Sequence, residues 1–254
     1  PTSSGITVTS ASLTDTTAGY NNVSVSNGTA TDNMGNGAGT PTDNTTNMVE
    51  SSENIPEILE VGPGGMVWFK RRSSGATNHL IQDTERGTNK TLNSNESSGE
   101  STQTNCITSY NFTGFSIGSN STVNTLNSTY VSWTFKKVPK FFDIVTYTGT
   151  GSSKTINNKL GTNVGYIWIK KRSGNHNWWV WHRSLSVTTN GFYLNQVNGE
   201  VTGPTGGNFY VKDVTSSSFK VGQQGTVNES SATYVAYLFA HNDGDGVFGP
   251  NGNE

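Results

Sequence analysis

Four histidines (His79, His176, His182 and His241) and a scatter of carboxylates are the groups in this 254-residue sequence that could move protons or hold a metal. His176 and His182 flank the run Trp178-Trp179-Val180-Trp181, too far apart for the adjacent ligand pair of a helical zinc motif. No H-E-x-x-H, G-x-S-x-G or P-loop string occurs. Glycoside hydrolysis needs two carboxyl groups flanking one bond. The candidates Asp83, Glu85 and Asp143 show no clustered or repeated placement, and Asp83 aligns with His182 in the second half of the chain. The segment Asn242-Asp243-Gly244-Asp245-Gly246 supplies two carboxylates of a calcium loop, Asp243 and Asp245, without the third acid or the closing bidentate Glu. Asp-Gly pairs also serve plain turns. The expectation is a protein that is not an enzyme and needs no cofactor, with calcium at Asp243 and Asp245 the one candidate ion.

The aromatic residues offer a different chemistry. Period-2 alternation puts Tyr166 and Trp168 on one face of their strand and Trp179 and Trp181 on one face of the next. Exposed rings beside Asn and Arg could stack on sugars and bond their hydroxyls, so these four are the candidate glycan-binding residues. The competing reading is that the rings are core, because a sandwich poor in Leu and Ile needs its aromatics inside.

Composition limits the elements that must carry these groups. Only 31% of the residues are hydrophobic and 13% charged, so the polar surface is built from Ser, Thr, Asn and Gly. Such side chains compete for backbone hydrogen bonds, which disfavours helices and suits turns. Aromatics at 10% favour strands. A net charge of −2 lacks the basic excess of a nucleic-acid binder. The longest apolar run, Tyr234–Ala240, falls far short of the roughly 20 residues of a membrane-spanning helix. Cys106 is alone, so neither an intrachain disulfide nor a zinc framework is expected.

An internal repeat organises the chain. Gly65-Met66-Val67-Trp68-Phe69-Lys70-Arg71-Arg72-Ser73 aligns with Gly165-Tyr166-Ile167-Trp168-Ile169-Lys170-Lys171-Arg172-Ser173. Further matches pair Asn78–Ile81 with Asn177–Val180, Gly114–Gly118 with Ser218–Gly222, Thr122–Asn124 with Thr226–Asn228, and Thr129–Phe135 with Thr233–Phe239. The offset stays between 99 and 104 residues. Each copy reads as six or seven short strands joined by Gly/Asn/Ser turns. In the first, Val67 and Phe69 share one face, while Met66, Trp68 and Lys70 share the other. In the closing strand of the second, Val235, Tyr237 and Phe239 point inward. The predicted fold class is all-β: two tandem antiparallel β-sandwich, jelly-roll-like repeats over residues 58–138 and 139–242. They follow a polar arm over 1–57 and precede a tail over 243–254. Within the arm, Thr7-Val8-Thr9 and Val23-Ser24-Val25 are candidate strands, and Thr29–Asn47 reads as linker.

The strings Val67-Trp68-Phe69-Lys70, Gly114-Phe115-Ser116-Ile117-Gly118, Phe142-Asp143-Ile144-Val145-Thr146-Tyr147-Thr148-Gly149 and Tyr234–Asn242 resemble a repeat found in large structural proteins of marine and cyanobacterial phages. The resemblance covers about residues 58–248. It implies a tail-fibre or other virion protein, often accompanied by concanavalin-like (laminin-G-like) jelly rolls, and it supplies no catalytic residues. The expected function is therefore structural, in a virion or at an extracellular surface. The expected partners are copies of the same chain or a neighbouring virion or filament protein, without nucleic acid or membrane insertion. A lectin-like module reading a host-surface glycan is the alternative, and a polysaccharide-degrading enzyme a further one.

Overall fold

The computed structural model describes residues 64–73, 77–111 and 114–242, together with the backbone of three short strands nearer the N-terminus. The chain divides into two compact units, Pro1–Gly62 and Pro63–Glu254. In the first, β1 (Ile6–Val8) lies between β2 (Leu13–Thr14) and β3 (Ala30–Asp32) in an antiparallel sheet. The Ala30–Asp32 strand falls in a stretch expected to be linker. Ladder pairing uses backbone groups, which a polar sequence supplies as well as an apolar one. The expected strand Val23–Val25 lies outside the described residues.

The second unit holds both repeats. The first repeat forms β4 (Gly65–Arg71), β5 (Leu80–Asp83), β6 (Lys90–Asn93), β7 (Ser101–Thr102), β8 (Ile107–Asn111), β9 (Gly114–Ile117) and β10 (Tyr130–Lys136). The second forms β11 (Phe142–Thr148), β12 (Lys154–Asn157), β13 (Val164–Lys171), β14 (Trp179–His182), β15 (Phe192–Tyr193), β16 (Val211–Lys212), β17 (Ser218–Val221) and β18 (Thr233–Ala240). A single helical turn, Gly225–Asn228, precedes β18.

Each repeat is a sandwich of a large sheet and a small one. In the first, the sheet β10-β4-β5-β6-β7 is covered by the hairpin β8-β9; in the second, β11-β18-β13-β14-β15 is covered by β12-β17-β16. Pairing is antiparallel throughout. The face of β4 carrying Val67 and Phe69 packs with Leu80 on Ile107 and Val123 beneath the hairpin. On the second repeat's large sheet, Ile167, Ile169, Trp179 and Leu238 meet Phe219 and Val221 of the small sheet.

The other faces of the two large sheets pack on each other. Met66, Ile81 and Leu92 of the first repeat share a core with Phe142, Trp168, Trp178 and Tyr237 of the second. The sandwiches thus stand back to back, with three apolar layers between four sheets. Burial on both faces explains why β18 reads as an almost continuous apolar run: Tyr234, Ala236 and Leu238 serve the outer core, Val235 and Tyr237 the central one. The loop Glu96–Glu100 seals the junction. Ser97 carbonyl accepts from the His176 amide at 2.9 Å, and the Glu100 amide donates to Arg172 carbonyl at 2.8 Å. Gly99 sits where a Cβ would come within 2.9 Å of that same carbonyl oxygen, so no larger residue fits without displacing the loop.

Candidate functional site

The four aromatic residues weighed as a sugar platform, against the reading that they are core, lie in the cores. Tyr166 and Trp168 face the central core, edge to face at 5.7 Å between ring centroids. Trp179 and Trp181 face the opposite side of the same sheet. There Trp179 stacks on Tyr210 at 3.7 Å, and the Trp181 indole donates to Thr188 carbonyl at 3.0 Å. Trp168, Trp179 and Trp181 are buried and Tyr166 half-buried, so the four do not present a shared exposed face on which a sugar could stack. The physical reason is volume: three apolar layers in a Leu-poor chain are filled with rings.

Asp243 and Asp245 lie outside the described residues. Among the described residues no three His, Cys, Asp or Glu side chains come together as metal ligands. His79 packs beside Trp68 and His182 beside Tyr166. His176 Nδ1 lies 3.4 Å from the Thr226 hydroxyl. Burial lowers the pKa of His79 and His176, with nearby lysines adding to the effect.

The three candidate carboxylates are each committed elsewhere. Asp143 accepts the amides of Ile144 at 2.9 Å and Lys159 at 2.7 Å. Glu85 is paired with Lys137. Asp83 is fully buried. It binds Arg86 Nε at 2.5 Å and the Arg86 amide at 2.9 Å, and accepts from the Tyr237 hydroxyl of the other repeat at 2.6 Å. Arg86 reaches on to Glu100 at 3.3 Å, and Glu100 accepts two bonds from Arg172 of the second repeat at 2.8 and 3.0 Å. Two carboxylates and two guanidinium groups thus neutralise one another across the junction. Burial opposes the Glu100 charge, but the Arg172 bonds and the Arg86 charge outweigh it and hold its pKa below the usual value. Burial, aided by the Asp83 charge, holds the Tyr237 hydroxyl protonated well past its ordinary range. This is a structural network with no accessible acid.

Among the described residues, one sheet edge differs between the two repeats. In the second repeat β11 pairs with β18 along its whole length, and β12 pairs with β17. In the first repeat β10 and β9 occupy the equivalent positions, and among the described residues neither has such a neighbour. Two pairs of equivalent positions record the difference. Trp133 is 43% exposed where Tyr237 is 0%, and Ile117 is 41% exposed where Val221 is 0%. Between the two strands runs a groove of about 250 Å³ lined by Phe69, Phe115, Ile117, Val123, Tyr130 and Val131. In the second repeat, Phe219, Val221, Val227, Tyr234 and Val235, the counterparts of the last five, are all fully buried.

The anchors for a covering strand pair are already in place. Tyr234 Oη accepts from the Glu229 amide at 2.8 Å and donates to Gly225 carbonyl at 2.7 Å. Tyr130 Oη repeats both bonds, to the Thr125 amide at 2.9 Å and Ser121 carbonyl at 3.2 Å. Asn124 Nδ2 donates to Gly118 carbonyl at 2.8 Å, as Asn228 does to Gly222 at 2.7 Å. Asn228 goes further and holds the turn between β11 and β12, accepting from the Thr150 amide at 2.9 Å and donating to Ser152 carbonyl at 2.6 Å. Asn124 is exposed. The sequence carried a signal for this site in the run Phe142–Gly149, which has no matching block ahead of the first repeat.

No curated protein and no solved structure matches the chain. A family model matches residues 49–253, most of the chain, and so the protein belongs to the family described as a domain of unknown function, DUF7483.

Proposed function

We propose that this protein is a non-enzymatic structural component of a virion or other surface assembly, and that the open edge of its first repeat is the contact through which it assembles. The observation that carries the reading is the asymmetry between two copies of one unit. The second repeat closes its sheet edge with β11, while among the described residues no strand covers β10 of the first, and Trp133 is exposed. A twisted, partly apolar edge strand is a template for pairing with another chain, and soluble proteins usually blunt such edges. The neutral ion network and the shared aromatic core favour a stiff body suited to carrying load. The resemblance to phage tail-fibre repeats supports placing that assembly on a virion. The burial of Trp168, Trp179 and Trp181 favours this reading over the glycan-binding alternative.

Light scattering of the full chain over a concentration series, with negative-stain imaging of the same samples, tests this. Oligomers or filaments that grow with concentration are expected. A single monomeric species up to the solubility limit would overturn the self-assembling role.

A further inference from the structure

We infer that the groove between β10 and β9 is a receptor for a two-strand segment donated by another polypeptide, one strand extending each sheet, and that the segment has the side-chain pattern of this protein's own β11–β12. The inference rests on the reading of the open edge as an assembly contact, and it adds the chemistry of the partner. The second repeat shows what covers an edge of this kind. There Ile144 lies opposite Tyr237, Val145 opposite Ala236 and Tyr147 opposite Tyr234, while Ile156 lies opposite Phe219. Carried to the first repeat, the same register sets an aliphatic residue opposite Trp133, a second opposite Ser132, an aromatic opposite Tyr130, and an aliphatic from the returning strand opposite Phe115.

Each of those places has a use for its guest. Tyr147 stacks on Tyr234 at 5.1 Å, and the half-buried Tyr130 ring offers the same surface. Val145 and Tyr147 pack against the outer core that contains Ile156. Their counterparts would fill the groove over Phe69 and Val123. Asn124 has its amide oxygen in position to accept from the turn, as Asn228 does from Thr150. The turn must also begin with glycine. A Cβ on Gly149 would lie 2.2 Å from the Glu229 carbonyl oxygen, and Thr125 holds that position in the first repeat. Backbone ladders on both edges would give affinity, and the alternating pockets would give register.

The experiment titrates a synthetic peptide with the sequence of residues 142–157 into the full chain, read by calorimetry and by amide hydrogen exchange. Saturable binding is expected, with new protection on β10 and β9. Ile117→Lys, an exposed substitution that leaves the thermal unfolding unchanged, should weaken binding by about tenfold or more. The same peptide carrying Gly149→Val should not bind. Absence of binding to the full chain, or protection of β18 in place of β10, overturns the proposal. Oligomers by light scattering together with no peptide binding would sink the strand-pair receptor and leave the assembly role standing. A monomer that binds the peptide would do the reverse.

Discussion

Trp68 and Trp168 occupy the same position in the two repeats, and they touch each other, edge to face, with ring centroids 5.6 Å apart. Phe135 and Phe239, also equivalent, do the same at 5.3 Å. Equivalent residues meet across an interface only near a two-fold axis, so the two sandwiches are joined in the isologous manner of a symmetric dimer, within one chain. The central core therefore belongs to neither repeat alone.

That shared core predicts a single cooperative unfolding transition for the second unit, followed by urea titration with tryptophan fluorescence and far-UV circular dichroism. Trp168→Ala should shift both probes together and cost about 3–5 kcal/mol, the usual range for deleting a buried large ring. A variant in which one repeat melts separately from the other would show that the central layer is not an obligatory interface.

The ion network predicts a defined acid limb. A carboxyl whose folded pKa is depressed contributes stability above its unfolded pKa, near 4.3 for Glu, and loses it as pH falls through the lower folded value. Glu100 is such a group. Stability should fall below about pH 4, and Glu100→Gln should flatten that fall while lowering stability at neutral pH. Arg86→Met, which strands the buried Asp83 charge, should cost about 3–5 kcal/mol, and adding Asp83→Asn should recover part of it. Chemical denaturation across a pH series reads all three.

The repeat and the two faces of β4 were legible because alternation is unambiguous when one strand separates Val67 and Phe69 from Met66, Trp68 and Lys70. The aromatic pairs were harder. Tyr166 with Trp168 and Trp179 with Trp181 read as a platform only if one face of the sheet meets water, and alternation cannot tell a buried face from an apolar exposed one. That requires knowing that a second sheet lies on each side. The network was illegible for another reason. Asp83 and Arg86 are three residues apart, but Glu100 and Arg172 are brought together only by the packing of one repeat on the other.

Lys170 is fully buried beside the Ser97 carbonyl at 3.1 Å and the Lys171 carbonyl at 2.9 Å. Burial, reinforced by the Lys171 charge, pushes its pKa down to about 8. Between that value and the unfolded pKa near 10.4 the unfolded chain holds the extra proton, so stability should rise with pH over this window. The penalty is fully present below pH 8. Lys170→Met should therefore stabilise the protein at pH 7 by on the order of 1–3 kcal/mol and abolish the rise above pH 8. Thermal unfolding of both proteins from pH 7 to pH 10 makes the comparison.

Asn124 and Asn228 give an internal control on the open edge, since one side chain is repeated in two environments. Both amides donate to the glycine carbonyl six residues away. Only Asn228 is buried and also bonded to the turn between β11 and β12. Asn228→Ala would take their side-chain partner from the Thr150 amide and the Gly222 carbonyl and leave the Ser152 carbonyl only the Thr150 hydroxyl, at a cost of about 2–4 kcal/mol. Asn124→Ala breaks one solvent-exposed bond and should cost less than about 1 kcal/mol. Filling the first repeat's groove with the 142–157 peptide should erase much of that difference. Asn124→Ala should reduce peptide affinity while its effect on the free protein stays small. Equal costs for the two substitutions in the free protein would mean that the first repeat's edge is already covered.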